Sequence, residues 1–230
     1  MIKKIFLGQN ICEDDISESP LTRRWKNLKV IWETNDSGIE RIVRLILAIS
    51  QFIFIGTYIR QIFGGKSSVY RDLSIDILVL FKISYCLLVL KYSLFLNPFY
   101  FALLLWFMIE TVLYIPTLIF ASDYLARPRS YKRGMILFFI NFIEINLSFA
   151  IIYSKYNCLS RQFVNWIDSV YFSFVTSSST GYGDIYPVTD FGKIIFSIHS
   201  MVSLMFFVLF LNIFSNKMEI KGYFDNLKSK

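Results

Sequence analysis

Long apolar runs joined by short polar and charged segments dominate this chain. A helix needs about 20 apolar residues to cross a bilayer core. Five stretches reach that length: Ile42 to Phe63, Ser74 to Phe95, Pro98 to Ala121, Gly134 to Ser154 and Lys193 to Ser215. Between the last two, residues 164 to 180 are too short and too polar at their end for a full crossing. They predict a helix that enters from one side and stops partway, where irregular backbone is tolerated because it lines a wet cavity. The pattern as a whole predicts an all-α membrane protein.

The polar parts refine that picture. Residues 1 to 40 are polar and charged, and Trp25, Val30, Ile31 and Trp32 give them a weak apolar side, as suits an interfacial or cytoplasmic helix. Met1 to Leu7 mixes basic and apolar residues but turns polar at Gly8 to Pro20, so the apolar core of a cleaved signal peptide is missing. Ser37 with Glu40 three residues on is a capping-box pattern, which predicts the start of the first span.

The most informative short run is Ser179-Thr180-Gly181-Tyr182-Gly183-Asp184. A cation entering a narrow pore must exchange water oxygens for protein oxygens, and backbone carbonyls supply them without a trapping countercharge. Aligning successive carbonyls on one side of a strand requires alternating left- and right-handed backbone angles, which glycine adopts at little steric cost. Gly181 and Gly183 stand where that freedom is needed. Tyr182 is expected to point away from the axis and brace the strand, and the Ser179 hydroxyl to add an innermost ligand.

At these residues the chain resembles the pore domain of potassium channels. The resemblance extends upstream through Asp168 to Thr176, similar to the pore helix of two-transmembrane-type channels, and downstream through Gly192-Lys193 into an inner helix. It covers residues 134 to 216 and implies an outer helix, a pore helix with its filter, and an inner helix. It implies potassium ions at Ser179, Thr180, Gly181, Tyr182 and Gly183, with Thr176, Asp184, Tyr171 and Phe172 in support. Ser179 stands where the family usually has Thr, and Thr180 where it usually has Val or Ile. The second change puts a polar group behind the filter, so looser selectivity is expected. In the inner helix, Leu204, Phe207 or Val208, and Leu211 share one side, and the resemblance implies a gate there that closes by dewetting. Ser203 occupies the position of the family's glycine hinge. His199, the only histidine, reads as a packed residue before a pH sensor.

The chain has 230 residues, 55% of them hydrophobic and 18% aromatic, with a mean hydropathy of +0.50. Its net charge of +7 lies at the ends of apolar segments rather than in one basic, aromatic-interleaved patch. Lipid-headgroup anchoring is therefore expected, not nucleic-acid binding. Cys12, Cys86 and Cys158 are too scattered for a disulfide framework or metal site. No nucleophile and base set, phosphate loop or metal cluster appears, so no enzyme and no cofactor beyond permeant potassium is expected.

Topology reads two ways. Arg127, Arg129, Lys132 and Arg133 place the linker at 122 to 133 inside, and Lys3, Lys4, Arg23, Arg24, Lys26 and Lys29 also place the N-terminal tail inside. Three preceding spans cannot satisfy both. A further crossing between 98 and 133, broken near Pro116, gives four N-terminal helices and is favoured; a segment that dips without crossing leaves three. The linker cations are too clustered for a voltage sensor and suit headgroup contact. Lys82, Glu110 and Glu144 lie inside apolar spans, where they are expected to pair between helices.

The expected organisation is a cytoplasmic or interfacial tail at 1–40, N-terminal transmembrane helices with a basic linker at 41–133, a potassium channel pore domain at 134–216 and a short cytoplasmic tail at 217–230. Asn216 to Lys230 is too short for a soluble gating domain. The expected function is a homotetrameric potassium-selective channel in a lipid bilayer, in the cell membrane. The alternatives are a weakly selective cation channel acting as a membrane-depolarising effector, and a potassium transporter subunit, although such proteins repeat the filter within one chain and no second copy is found here.

Overall fold

The computed structural model describes residues 20–33, 38–56, 58–59, 68–120 and 131–218. Their order is α1 (Pro20–Glu33), α2 (Ile39–Ser50), α3 (Ser68–Lys91), a short 3-10 turn (Leu94–Leu96), α4 (Pro98–Phe120), α5 (Tyr131–Lys155), α6 (Trp166–Ser177) and α7 (Asp190–Met218). Apart from an isolated antiparallel bridge between Leu159 and Pro187, every element among the described residues is helical. The chain is an all-α membrane protein.

Length and apolarity make Leu73–Lys91, Arg133–Lys155 and Asp190–Asn212 fit to cross a membrane, with Pro98–Tyr114 a shorter apolar helix. The outward apolar side chains of these spans, such as Leu80, Ile136 and Met201, cost nothing where the neighbour is lipid. The chain divides into two compact units, Met1–Ile151 and Ile152–Lys230.

In the first unit, α2 packs on α1 and α4, and α3 on α4 and the 3-10 turn. Arg41 Nη2 donates to the Trp32 carbonyl at 2.8 Å, and its guanidinium lies 5.3 Å from the Trp32 ring. Phe107 of α4 meets Phe81 and Tyr85 of α3 edge-on, at 6.3 and 5.6 Å between ring centroids. Arg133 at the start of α5 forks onto Asp76 of α3, with Nη2 2.7 Å and Nε 3.1 Å from Oδ1. That basic residue was expected to meet lipid headgroups; it pairs within the protein instead.

Three further expectations are corrected here. The stretch from Ile42 to Phe63 is not one crossing helix. Helix α2 has 12 residues, about 18 Å of rise, too short for a core of about 30 Å. Its end is specified locally: Phe52 and Ile53 donate to the carbonyls three residues back, and Gly56 N–H is taken at 2.8 Å by Glu110 Oε1 of α4. Second, the cap of α2 is Gly38, at φ 77° and with no side-chain bond, not the Ser37 and Glu40 box; Ser37 lies outside the described residues. Third, α4 runs through Pro116 to Phe120, so the expected break near Pro116 is absent. The remaining linker, 121–130, lies outside the described residues, as do Cys12 and the tail beyond Met218.

In the second unit α6 packs on α7. Backbone bonds tie the chain before α6 to the chain after it: Val188 N–H to the Cys158 carbonyl at 3.0 Å and Ser160 N–H to the Tyr186 carbonyl at 2.8 Å. Gly192, in the first turn of α7, sits against this tie. A Cβ there would lie 2.7 Å from the Cys158 carbonyl oxygen and 2.9 Å from Cys158 Cβ. Gly192→Ala is therefore expected to lower stability by about 1–3 kcal/mol, read as a lower thermal unfolding midpoint in detergent. An unchanged midpoint would mean the tie is loose. The Cys158 thiol is buried, and burial raises its pKa above the ordinary value, so it is held in the unreactive protonated form.

Candidate pore and filter

The candidate filter run follows α6, and α6 is capped at both ends. At its start Asn165 and Asp168 form a capping box, and the Asp168 carboxylate also accepts from Val164 N–H at 3.0 Å. The spacing Asn165-x-x-Asp168 carried that signal in the sequence. With 12 residues, about 18 Å, α6 reaches roughly halfway through a bilayer core.

Its far end is a Schellman turn. Thr180 N–H donates to the Val175 carbonyl at 3.2 Å and Ser179 N–H to the Thr176 carbonyl at 3.1 Å, the two bonds that define this ending. The turn needs a left-handed residue, and Ser179 supplies it with φ 57°. Glycine usually takes that position, which is why glycine spacing alone did not indicate it.

Beyond the turn the left-handed angles recur at every second residue. Gly181 has φ 53° and Gly183 φ 76°, while Thr180 and Tyr182 are absent from the positive-φ residues. Alternation of this kind turns successive carbonyls to the same side of the strand. Residues 178 to 184 are exposed throughout.

The supporting residues fall into two groups. Tyr182 lies parallel to Tyr171 of α6, with ring centroids 6.4 Å apart and planes 4° from parallel, and the Asp184 carboxylate lies close enough to act electrostatically on the Tyr171 phenol. These contacts join α6 to the second half of the run. Phe172 is buried at the centre of an aromatic cluster, 4.8 Å from Tyr153, 6.3 Å from Phe163 and 6.4 Å from Phe196 between centroids. Thr176 is buried too, its hydroxyl donating to the Phe172 carbonyl of its own helix at 2.8 Å. The Thr180 hydroxyl, the polar group expected behind the filter, pairs with Ser178 Oγ at 2.8 Å.

On α7 the expected gate residues divide. Leu204, Phe207 and Leu211 are exposed, as is Val208, whereas Ser203 is buried and so lies on another face. His199 is buried, its Nδ1 3.3 Å from the Tyr153 hydroxyl, in agreement with the packed reading. Among the described residues no cluster of His, Cys, Asp or Glu suits a metal.

A family model described as an ion channel matches residues 136–219, from early in α5 to the residue after α7. This part of the chain is similar to the two-transmembrane-type ion-channel pore domain. No curated protein and no solved structure matches the chain significantly.

Proposed function

Taking residues 136–219 as an ion-channel segment, we propose that the protein is a homotetrameric, potassium-selective channel that conducts passively through the backbone of Ser179 to Gly183. The observation that carries this reading is the recurrence of left-handed angles at Ser179, Gly181 and Gly183, the alternation that a row of aligned carbonyl oxygens requires. One strand offers oxygens from one side only, so an ion stripped of water needs several strands around an axis, and four copies of this chain supply them. The C-terminal end of α6 adds partial negative charge at the inner end of the run, which favours a cation there.

In this reading Tyr171, Tyr182 and Asp184 hold the filter from outside, and Phe172 and Thr176 fix the pore helix that carries it. Leu204, Phe207 and Leu211 face the conduction path in the tetramer, and Ser203 takes the hinge position of α7. No cofactor is required beyond the permeant potassium, and the setting is the cell membrane.

Reversal potentials of the purified protein in planar bilayers test the proposal. With potassium on one side and sodium on the other, the reversal potential is expected near the potassium equilibrium value, with block by barium. Equal permeability to the two ions would instead favour the weakly selective, membrane-depolarising reading, to which Thr180 behind the filter lends weight. The absence of any current would sink both.

A further inference from the structure

The helices ahead of the filter hold a second polar centre. Lys82 on α3, Glu110 and Thr111 on α4, and Glu144 on α5 meet in the first unit, and all four are buried, Glu144 completely. Lys82 Nζ lies 3.1 Å from Glu110 Oε2 and donates to Thr111 Oγ1 at 3.2 Å. Thr111 in turn donates to Glu144 Oε2 at 2.6 Å.

The surrounding groups are accounted for. Gly56 N–H donates to Glu110 Oε1 at 2.8 Å, and the Phe107 ring faces the Lys82 ammonium at 5.4 Å. Ser148 Oγ donates to the Glu144 carbonyl at 2.9 Å. The Cys86 thiol lies 3.6 Å from Ser148 Oγ. Asp76 and Arg133, on the same helices, neutralise each other. Two buried carboxylate oxygens of the centre lack a hydrogen bond: Glu110 Oε2, which has the Lys82 ammonium 3.1 Å away, and Glu144 Oε1.

Counting charges decides what Glu144 Oε1 holds. One ammonium faces two carboxylates, so two ionised glutamates would strand a net negative charge in an apolar span, where charge is costly. Lys82 touches Glu110 directly and reaches Glu144 only through the Thr111 hydroxyl. The proton that neutralises the centre therefore belongs on Glu144. We propose that Glu144 is a proton-binding site inside the membrane, holding its proton while Lys82 and Glu110 stay ionised, and that proton loss loosens the seam of α5 on α4 and changes conduction. The proton site stands on the geometry; its effect on conduction rests on the channel reading, since α5 runs on from Glu144 to Lys155 within the channel segment.

Infrared difference spectra of the full chain in lipid vesicles, recorded across a pH titration, test both parts. A protonated-carboxyl stretch is expected that fades at alkaline pH, is lost in Glu144→Gln, and fades at lower pH in Glu110→Gln, where Glu144 becomes the one counter-charge left to Lys82. Potassium flux from the same vesicles should change over the pH range in which the band fades, and Glu144→Gln should flatten that change. A missing band, or one that survives Glu144→Gln, overturns the proton site. A band that behaves as expected beside identical flux profiles in wild type and variant overturns the coupling. Vesicles that carry the band yet pass no potassium at any pH overturn the channel reading while the proton site stands. Should Glu144→Gln fail to assemble, Thr111→Val must shift the band, because it removes the hydroxyl bonded to Oε2; an unshifted band overturns the assignment to Glu144.

Discussion

Gly181→Ala is expected to abolish selective potassium conduction while leaving the fold in place. Gly181 holds φ 53°, and no atom lies within 4 Å of the position a Cβ would occupy. Crowding inside the protomer is thus not the obstacle; the backbone angle is. An L-residue in the left-handed region costs about 1–2 kcal/mol, and a fourfold filter would meet that cost in every strand. The strand escapes it by rotating the peptide, which swings one carbonyl out of line and removes a ring of ion ligands. Reversal potentials measured beside wild type decide the matter: retained selectivity in Gly181→Ala would remove the filter from this segment. Gly134→Ala is the matched control, because Gly134 lies in α5 with open space around it and an ordinary helical angle.

Lys82→Met is expected to produce the largest loss of stability among single changes in the N-terminal helices. Methionine retains much of the apolar stem that packs near Phe107 but removes the ammonium 3.1 Å from Glu110. Glu110 is then left buried with no cation, and breaking one side of a buried pair costs about 3–5 kcal/mol. The unfolding midpoint in detergent should fall steeply, and adding Glu110→Gln should restore much of it by discharging the stranded group. An unaltered midpoint for Lys82→Met alone would show that water reaches the centre.

The two variants fail in different ways because the two sites were legible to different degrees. Apolar length alone located α5, α6 and α7: the expected Gly134 to Ser154 lies within Tyr131–Lys155, the partway helix at 164 to 180 contains Trp166–Ser177, and Lys193 to Ser215 lies within Asp190–Met218. Lipid-facing helices need only a sustained apolar run, and a run is visible in sequence. The pairing of Lys82, Glu110 and Glu144 between helices was also expected, since charges in such spans have few other stable arrangements. What sequence could not carry was the partner of each group. Ile42 to Phe63 is apolar enough to cross, and its interruption comes with the capture of Gly56 N–H by a carboxylate 54 residues away. Pro116 carries the usual warning of a break, yet α4 passes through it. Ser179 was read for its hydroxyl, whereas its backbone angle, set by the end of α6, is what opens the left-handed alternation.

The bonds that join Cys158 to Val188 and Ser160 to Tyr186 have a consequence for how much chain may lie between them. They fasten both ends of the segment that holds α6 and the proposed filter, so the contour between these anchors is a fixed allotment. A residue inserted or deleted there has no slack to draw on at the ends. It must be absorbed by α6, whose ends are both capped, or by the filter strand, whose every second angle is already assigned. Substitutions can be tested one at a time along this stretch, but its length is a single quantity, and the spacing from Ser160 to Tyr186 should tolerate change less readily than the residues that fill it.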